Sequence, residues 1–240
     1  GNSYAGISDT TSLSFTTATD WQLIGSEING ESAGDNLGKT VSISGDGSVI
    51  AVAAPSNDDG GSNKGEVTLY KNNNGTWEVF GQWEGEGTED HLGHSALSLS
   101  DDGTVVAIGA YRNDGNGTDS GHVRVISHDG SSWSQIGADI DGEAAGDESG
   151  RAVSLSSDGS VLAIGAIKNN SNTGHVRIFQ NNSGNWQQIG SDIDGEATGD
   201  HSGFSVSLSS NGEVVAIGAL DNEGNGWRSG HVRIYQNNSG

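Results

Sequence analysis

The sequence predicts an all-β protein, a β-propeller of four-stranded antiparallel blades with four blades recognisable. Three observations lead there. Apolar residues come in short runs such as Val161-Leu162-Ala163-Ile164-Gly165-Ala166, each bounded by Gly, Asn, Asp and Ser. Gly occurs 40 times and Pro once, so turn chemistry is abundant. The whole pattern also repeats: Trp21, Trp77, Trp133 and Trp186 each open a Trp-x-x-Ile-Gly-like segment, at intervals of 56, 56 and 53 residues. Only 31% of residues are hydrophobic and the net charge is −22, a combination that often marks disorder. Disorder scatters apolar residues, whereas here they are grouped and periodic.

One unit shows each element in turn. Asp139 to Asp147 is an acidic loop. Ala152-Val153-Ser154-Leu155-Ser156 alternates apolar and small polar residues, the period of a strand. Ser157-Asp158-Gly159 is a tight hairpin turn. Val161–Ala166 is apolar on both faces, as an inner strand covered on both sides should be. Its small residues suit the crowded zone near a propeller axis. Gly174–Phe179 is the third strand, and Asn181–Gly184 turns the chain into Trp186-Gln187-Gln188-Ile189-Gly190, the fourth. Four strands in roughly 50 residues is the size of a propeller blade. Residues 21–240 hold the repeats and residues 1–20 an extension or a degenerate strand. The segment 21–28 reads as a fourth strand without its blade, while 204–236 holds three strands. Pairing of the N-terminal strand with the last blade is therefore expected to close the ring and remove exposed edges. Ser12-Leu13-Ser14-Phe15 also reads as a degenerate third strand, which would make the chain a window of a longer array.

The unit built on Ser149-Gly150, Gly165-Ala166 and Gly174-His175-Val176-Arg177-Ile178-Phe179 resembles the FG-GAP repeat of integrin α-subunit heads and secreted microbial proteins. The family's aromatic-Gly opening corresponds to Leu37-Gly38, Leu92-Gly93, Ser149-Gly150 and Ser202-Gly203. Its Gly-Ala-Pro corresponds most fully to Ala53-Ala54-Pro55. The resemblance implies a propeller with a role in adhesion or recognition at the cell surface or outside it. Many members carry a calcium loop between the first two strands of a blade. Here that connection is only Gly45-Asp46-Gly47, Asp101-Asp102-Gly103, Ser157-Asp158-Gly159 or Asn211-Gly212, too few oxygens for the six to eight that calcium takes.

Charge narrows the partners. A field of this sign repels phosphate backbones and anionic lipid, which disfavours nucleic acid and membrane surfaces. No run of residues is long and apolar enough to insert in a bilayer. With no Cys, disulfides, thiolate metal sites and Cys nucleophiles are excluded. About two-thirds of the 32 acidic residues fall in the four-to-one and two-to-three loops, which share one face of a propeller. The order Asp-Ile-Asp-Gly-Glu-x-x-Gly-Asp makes Asp139, Asp141, Glu143 and Asp147, with Asp192, Asp194, Glu196 and Asp200, candidate ligands for Ca2+. The alternative is that Glu143, Asp147 and their repeat-mates accept hydrogen bonds from loop amides. His122, His175 and His231, and the Arg residues two positions on, recur with the repeat and are read as serving it. No nucleophile elbow or triad is present, so an enzyme is not expected and no catalytic residue is assigned.

Residues that break the repeat are the better binding candidates. Trp227-Arg228 interrupts the last two-to-three loop and Trp83 replaces an acid or its neighbour, and either can stack on a sugar or anchor a protein. Asn74, Asn116, Asn169, Asn181 and Asn237 begin Asn-x-Ser/Thr glycosylation signals. The expectation is an extracellular recognition or adhesion module that presents its acidic face to a protein or glycan, with calcium as the one cofactor considered. A structural subunit that assembles with copies of itself is the alternative, and a secreted hydrolase the third reading.

Overall fold

A computed structural model describes residues 21–238 as four antiparallel sheets in chain order. Blade one is β1 (Thr40–Ile43), β2 (Val49–Ala54), β3 (Glu66–Asn73) and β4 (Thr76–Glu84). Blade two is β5 (Leu97–Leu99), β6 (Val105–Ala110), β7 (His122–His128) and β8 (Trp133–Gln135), with the short β9 (Ile140–Asp141) also paired to β7. Blade three repeats this as β10 (Ser149–Leu155), β11 (Val161–Ala166), β12 (His175–Asn182), β13 (Asn185–Gln188) and β14 (Ile193–Asp194). Blade four has β15 (Ser202–Leu208), β16 (Val214–Ala219) and β17 (His231–Gln236). The expected extension at 1–20 lies outside the described residues. One residue explains the split fourth strand. Trp133 to Gly142 and Trp186 to Gly195 are one residue longer than Trp77 to Gly85, and the extra residue breaks the ladder that β4 carries through with a bulge at Leu69/Tyr70.

The core lies between blades. Val67, Leu69, Val106 and Ile108 pack at the first junction, Val123, Val125, Leu162 and Ile164 at the second, Val176 and Ile217 at the third. Each fully buried aliphatic side chain contributes about 1.5–3 kcal/mol. Polar repeat residues then set the register. Ser42, Ser98 and Ser154 each accept a hydrogen bond from the first strand of the next blade, at Leu99, Leu155 and Leu208, all at 3.0 Å. Hairpin turns join likewise, Gly45 N–H to Asp101 O, Asp101 N–H to Ser157 O and Ser157 N–H to Ser210 O. The indole of Trp133 donates to Phe80 O at 2.8 Å and that of Trp77 to Ile24 O at 2.9 Å. The small residues of the second strand are required by contact: a Cβ on Gly165 would lie 2.1 Å from Gly203 O, and one on Gly109 2.2 Å from Gly150 O. The two glycine motifs of the repeat therefore meet each other at the second and third junctions, while at the first Gly93 packs on Ala53.

The expected closure does not form among the described residues. β17 has β16 as its only strand partner among the described residues, and 21–28 is not a strand. Residues 21–28 lie against blade one, where a preceding fourth strand would lie, and the Ile24 carbonyl accepts from the Trp77 indole as Phe80 accepts from Trp133, but without a ladder to β17. Among the described residues no fourth strand covers blade four. Val232 is 66% and Ile234 71% exposed, while their repeat-mates Val123 and Val125 are fully buried.

Candidate functional site

The four-to-one and two-to-three loops form one continuous face. Gly85 N–H bonds to Gly65 O and Glu89 N–H to Ser62 O at the first junction; Gly142 N–H bonds to Gly121 O and Glu148 N–H to Asp119 O at the second. Glu31, Glu86, Glu143 and Glu196 are exposed on this face, as are Asp58, Asp59, Asp114 and Glu223.

The last aspartate of each loop points inward instead. Asp147 is buried and accepts from Ala144 N–H at 3.0 Å and from the Asn169 amide at 3.2 Å. Asp200 does the same with Ala197 N–H and Asn222, and Asp90 with Gly87 N–H and Asn113. The other calcium candidates do not wrap one centre per loop. Asp139 joins Glu86 and the buried His122; Glu143 joins His175 and Asp192. In each trio one ligand atom from every residue lies within 4.8 Å of the others. Asp141 and Asp194 are exposed on the short strands β9 and β14, and Glu196 lies 3.5 Å from His231 Nδ1. Burial, partly offset by the nearby carboxylates, lowers the pKa of His122; burial and Arg177 lower that of His175.

The repeat-locked arginines staple blades. Arg124 Nη2 donates to Glu84 O at 2.6 Å and Arg177 Nη2 to Asp141 O at 2.7 Å, each reaching the end of the preceding blade's outer strand.

Trp83 is not on the loop face. It lies in β4, half-buried, with its ring edge-on to Trp133 at 5.3 Å. The shorter connection in blade one keeps this residue in the ladder, opposite Val67. Trp227 is where the sequence places it, 81% exposed above a cleft of 680 Å³ that it shares with Arg228, Glu196, Thr198 and Glu223. Arg228 lies 5.8 Å from the Trp227 ring centre and pairs with Asp221, whose other oxygen is 3.0 Å from His201 Nδ1. Of the glycosylation candidates, Asn74 and Asn237 are exposed. The side-chain amides of Asn116 and Asn169 are engaged by Gly142 O and Asp147, and the Asn181 carbonyl by Gly184 N–H.

A further cluster, missed in the sequence, lies where the innermost strands begin. Arg151 reaches Ser95 Oγ and lies 3.3 Å from His94 Nδ1, while its guanidinium covers the Tyr111 ring at 4.9 Å and Phe204 at 5.7 Å. Arg112 covers the same Tyr111 at 5.5 Å, and His91 stacks on it at 6.1 Å. Burial, then Arg151, Lys39, His91 and Arg112, push His94 down to about 4. Arg151, Lys39 and Arg112 are all cations that oppose its protonation. In a chain with ten Lys and Arg, this concentration of positive charge sits at the inner margin of an acidic face. The signal was available. The residue after the strand-one glycine is Lys39, His94, Arg151 or Phe204, a chemically variable place in an otherwise repetitive segment.

The geometry has counterparts elsewhere. The FG-GAP repeat family matches residues 29–70. No curated protein sequence matches the chain. Among solved structures, the β-propeller domain of the Trilobed protease from Pyrococcus furiosus, described as having an open velcro topology, superposes with a TM-score of 0.50 at 14% identity, covering 82% of this chain and 53% of that one. Two proteins described as 6-phosphogluconolactonases are also similar. That from Bacteroides fragilis has a TM-score of 0.48 at 13% identity over 68% of this chain and 40% of its own; that from Bacteroides uniformis 0.42 at 14% over 82% and 71%. The chain thus spans about half or less of the length of two of these three neighbours. Residues 29–70 thus resemble the FG-GAP repeat, and the fold of the chain is that of a β-propeller.

Proposed function

We propose that this propeller is an extracellular recognition module whose loop face binds a protein or glycan bearing an acidic group. The observation that carries the reading is the non-repeated cluster of Lys39, His94, Tyr111, Arg112 and Arg151 beside the acidic loops. Arginine presents fixed donors to a carboxylate or sulfate, the buried Tyr111 ring holds the guanidinium groups in place, and the exposed Phe204 beside Arg151 supplies a stacking surface for a sugar. The surrounding acids repel polyanions at large and leave access to a ligand with one anionic group, so selectivity arises from repulsion as well as attraction. Trp227 and Arg228 supply a second anchor at the rim of the same face.

A panel of neutral, sialylated, uronic-acid and sulfated glycans together with matrix proteins tests this. Binding should favour singly acidic ligands and fall about tenfold or more in Arg151→Gln with Lys39→Gln. Equal binding by that double variant would remove the cluster from the account. Self-assembly is the second reading, favoured by the bare apolar surfaces at the two ends, Val41 and Ile43 on blade one and Val232 and Ile234 on blade four.

A further inference from the structure

We infer that the first and second blade junctions each bind one divalent transition-metal ion of the zinc class, through Glu86, His122 and Asp139 and through Glu143, His175 and Asp192. The histidines carry the argument. Each is 1% exposed, and its Nε2 is buried without a hydrogen-bond partner, so Nδ1 is the ring's one polar outlet. That nitrogen faces carboxylates. His122 Nδ1 is 3.8 Å from Asp139 Oδ2; His175 Nδ1 is 3.9 Å from both Glu143 Oε2 and Asp192 Oδ2. These separations are too long for hydrogen bonds. They suit donors that share a cation, because metal–ligand bonds of about 2.0–2.2 Å place neighbouring donors about 3–4 Å apart.

The surroundings hold the donors in place. Gln135 donates to Asp139 Oδ1 at 2.6 Å and Gln188 to Asp192 Oδ1 at 2.7 Å, which leaves the Oδ2 atoms turned to the imidazoles. Such outer hydrogen bonds are what orient metal ligands. Arg124 and Arg177 lie 3.9 Å from the Oε1 atoms of Glu86 and Glu143, and each is tied by Nη2 to a backbone carbonyl. Their charge weakens any cation's hold. It weighs most against calcium, which depends on many anionic oxygens, and less against an ion that gains from a nitrogen donor. The exposed glutamate gives each site an opening to solvent.

Blade one provides an internal control. Glu66 stands in the histidine's place, buried, and accepts from Thr68 Oγ1 at 3.0 Å. Blade four repeats only the pair of His231 and Glu196 among the described residues.

The test uses the full chain stripped of metal and titrated with zinc by calorimetry, with thermal melts alongside. Two ions per chain and a higher Tm are expected. Glu86→Gln with Glu143→Gln, at exposed positions that should not disturb folding, should weaken binding at least about tenfold and abolish the rise in Tm. Glu31→Gln in blade one should change neither. Nitrogen-15 NMR should show zinc moving the Nδ1 resonances of His122 and His175. Absence of binding, full binding by the double variant, unmoved Nδ1 resonances, or an equal rise in Tm with calcium alone would each overturn the inference.

Discussion

Single side chains divide between those that hold the repeat and those that depart from it. Asp147 belongs to the first kind. Buried and accepting from Ala144 N–H and Asn169, it leaves two donors unsatisfied when removed. Asp147→Ala should therefore cost about 1–3 kcal/mol in chemical denaturation, with or without EDTA. His94 belongs to the second kind. Its pKa of about 4 lies below the ordinary 6.5, so the unfolded chain binds more protons than the folded one. The stability linked to neutral His94 is complete above pH 6.5 and is lost as pH falls toward 4. His122 and His175, also lowered, act in the same direction. Tm should fall between pH 7 and pH 5, and His94→Gln should reduce that fall; an unchanged difference would show that His94 titrates normally. The acidic loops could be located from the sequence, but the division of their acids could not. Asp139 and Glu143 lie four residues apart in one loop and face different junctions, because the loop crosses from one blade to the next.

At the scale of the element, alternation and turn residues made the strands readable. Val-Ser-Leu-Ser is a strand whose serines bond to the next blade and whose apolar residues fill the junction, so one period encodes both faces. Ser98→Ala should cost about 0.5–1.5 kcal/mol by freeing Leu155 N–H. Gly165→Ala should cost more, because its Cβ would meet a neighbouring backbone oxygen that cannot move without parting the blades. A loss of stability for Gly165→Ala no greater than for Gly30→Ala, at an exposed glycine with ordinary backbone and room for a Cβ, would contradict this close approach. Closure is not legible in the number of strands, which does not say what the 21–28 segment binds. The indole of Trp77, 53 residues on, holds Ile24 as the indole of Trp133 holds Phe80, and no ladder to β17 follows.

The whole molecule has two kinds of surface. Its first and last blades expose Val41, Ile43, Val232 and Ile234, and Ile234→Lys should abolish any concentration-dependent association seen in sedimentation of the wild-type chain. Its loop face is acidic with a basic and aromatic inner margin assembled from different blades. That margin was the least legible feature, since Lys39, His94 and Arg151 are separated by 55 and 57 residues and only the packing of the inner strands unites them. On the proposed function, recognition resides where the repeat is broken. The most direct measurement is equilibrium binding of the preferred acidic ligand by a chain in which Lys39, His94 and Arg151 are all replaced by Ser. A folded, cooperatively melting protein with binding reduced about a hundredfold or lost is expected. Wild-type affinity in that variant would contradict it and move recognition to Trp227 and the rim.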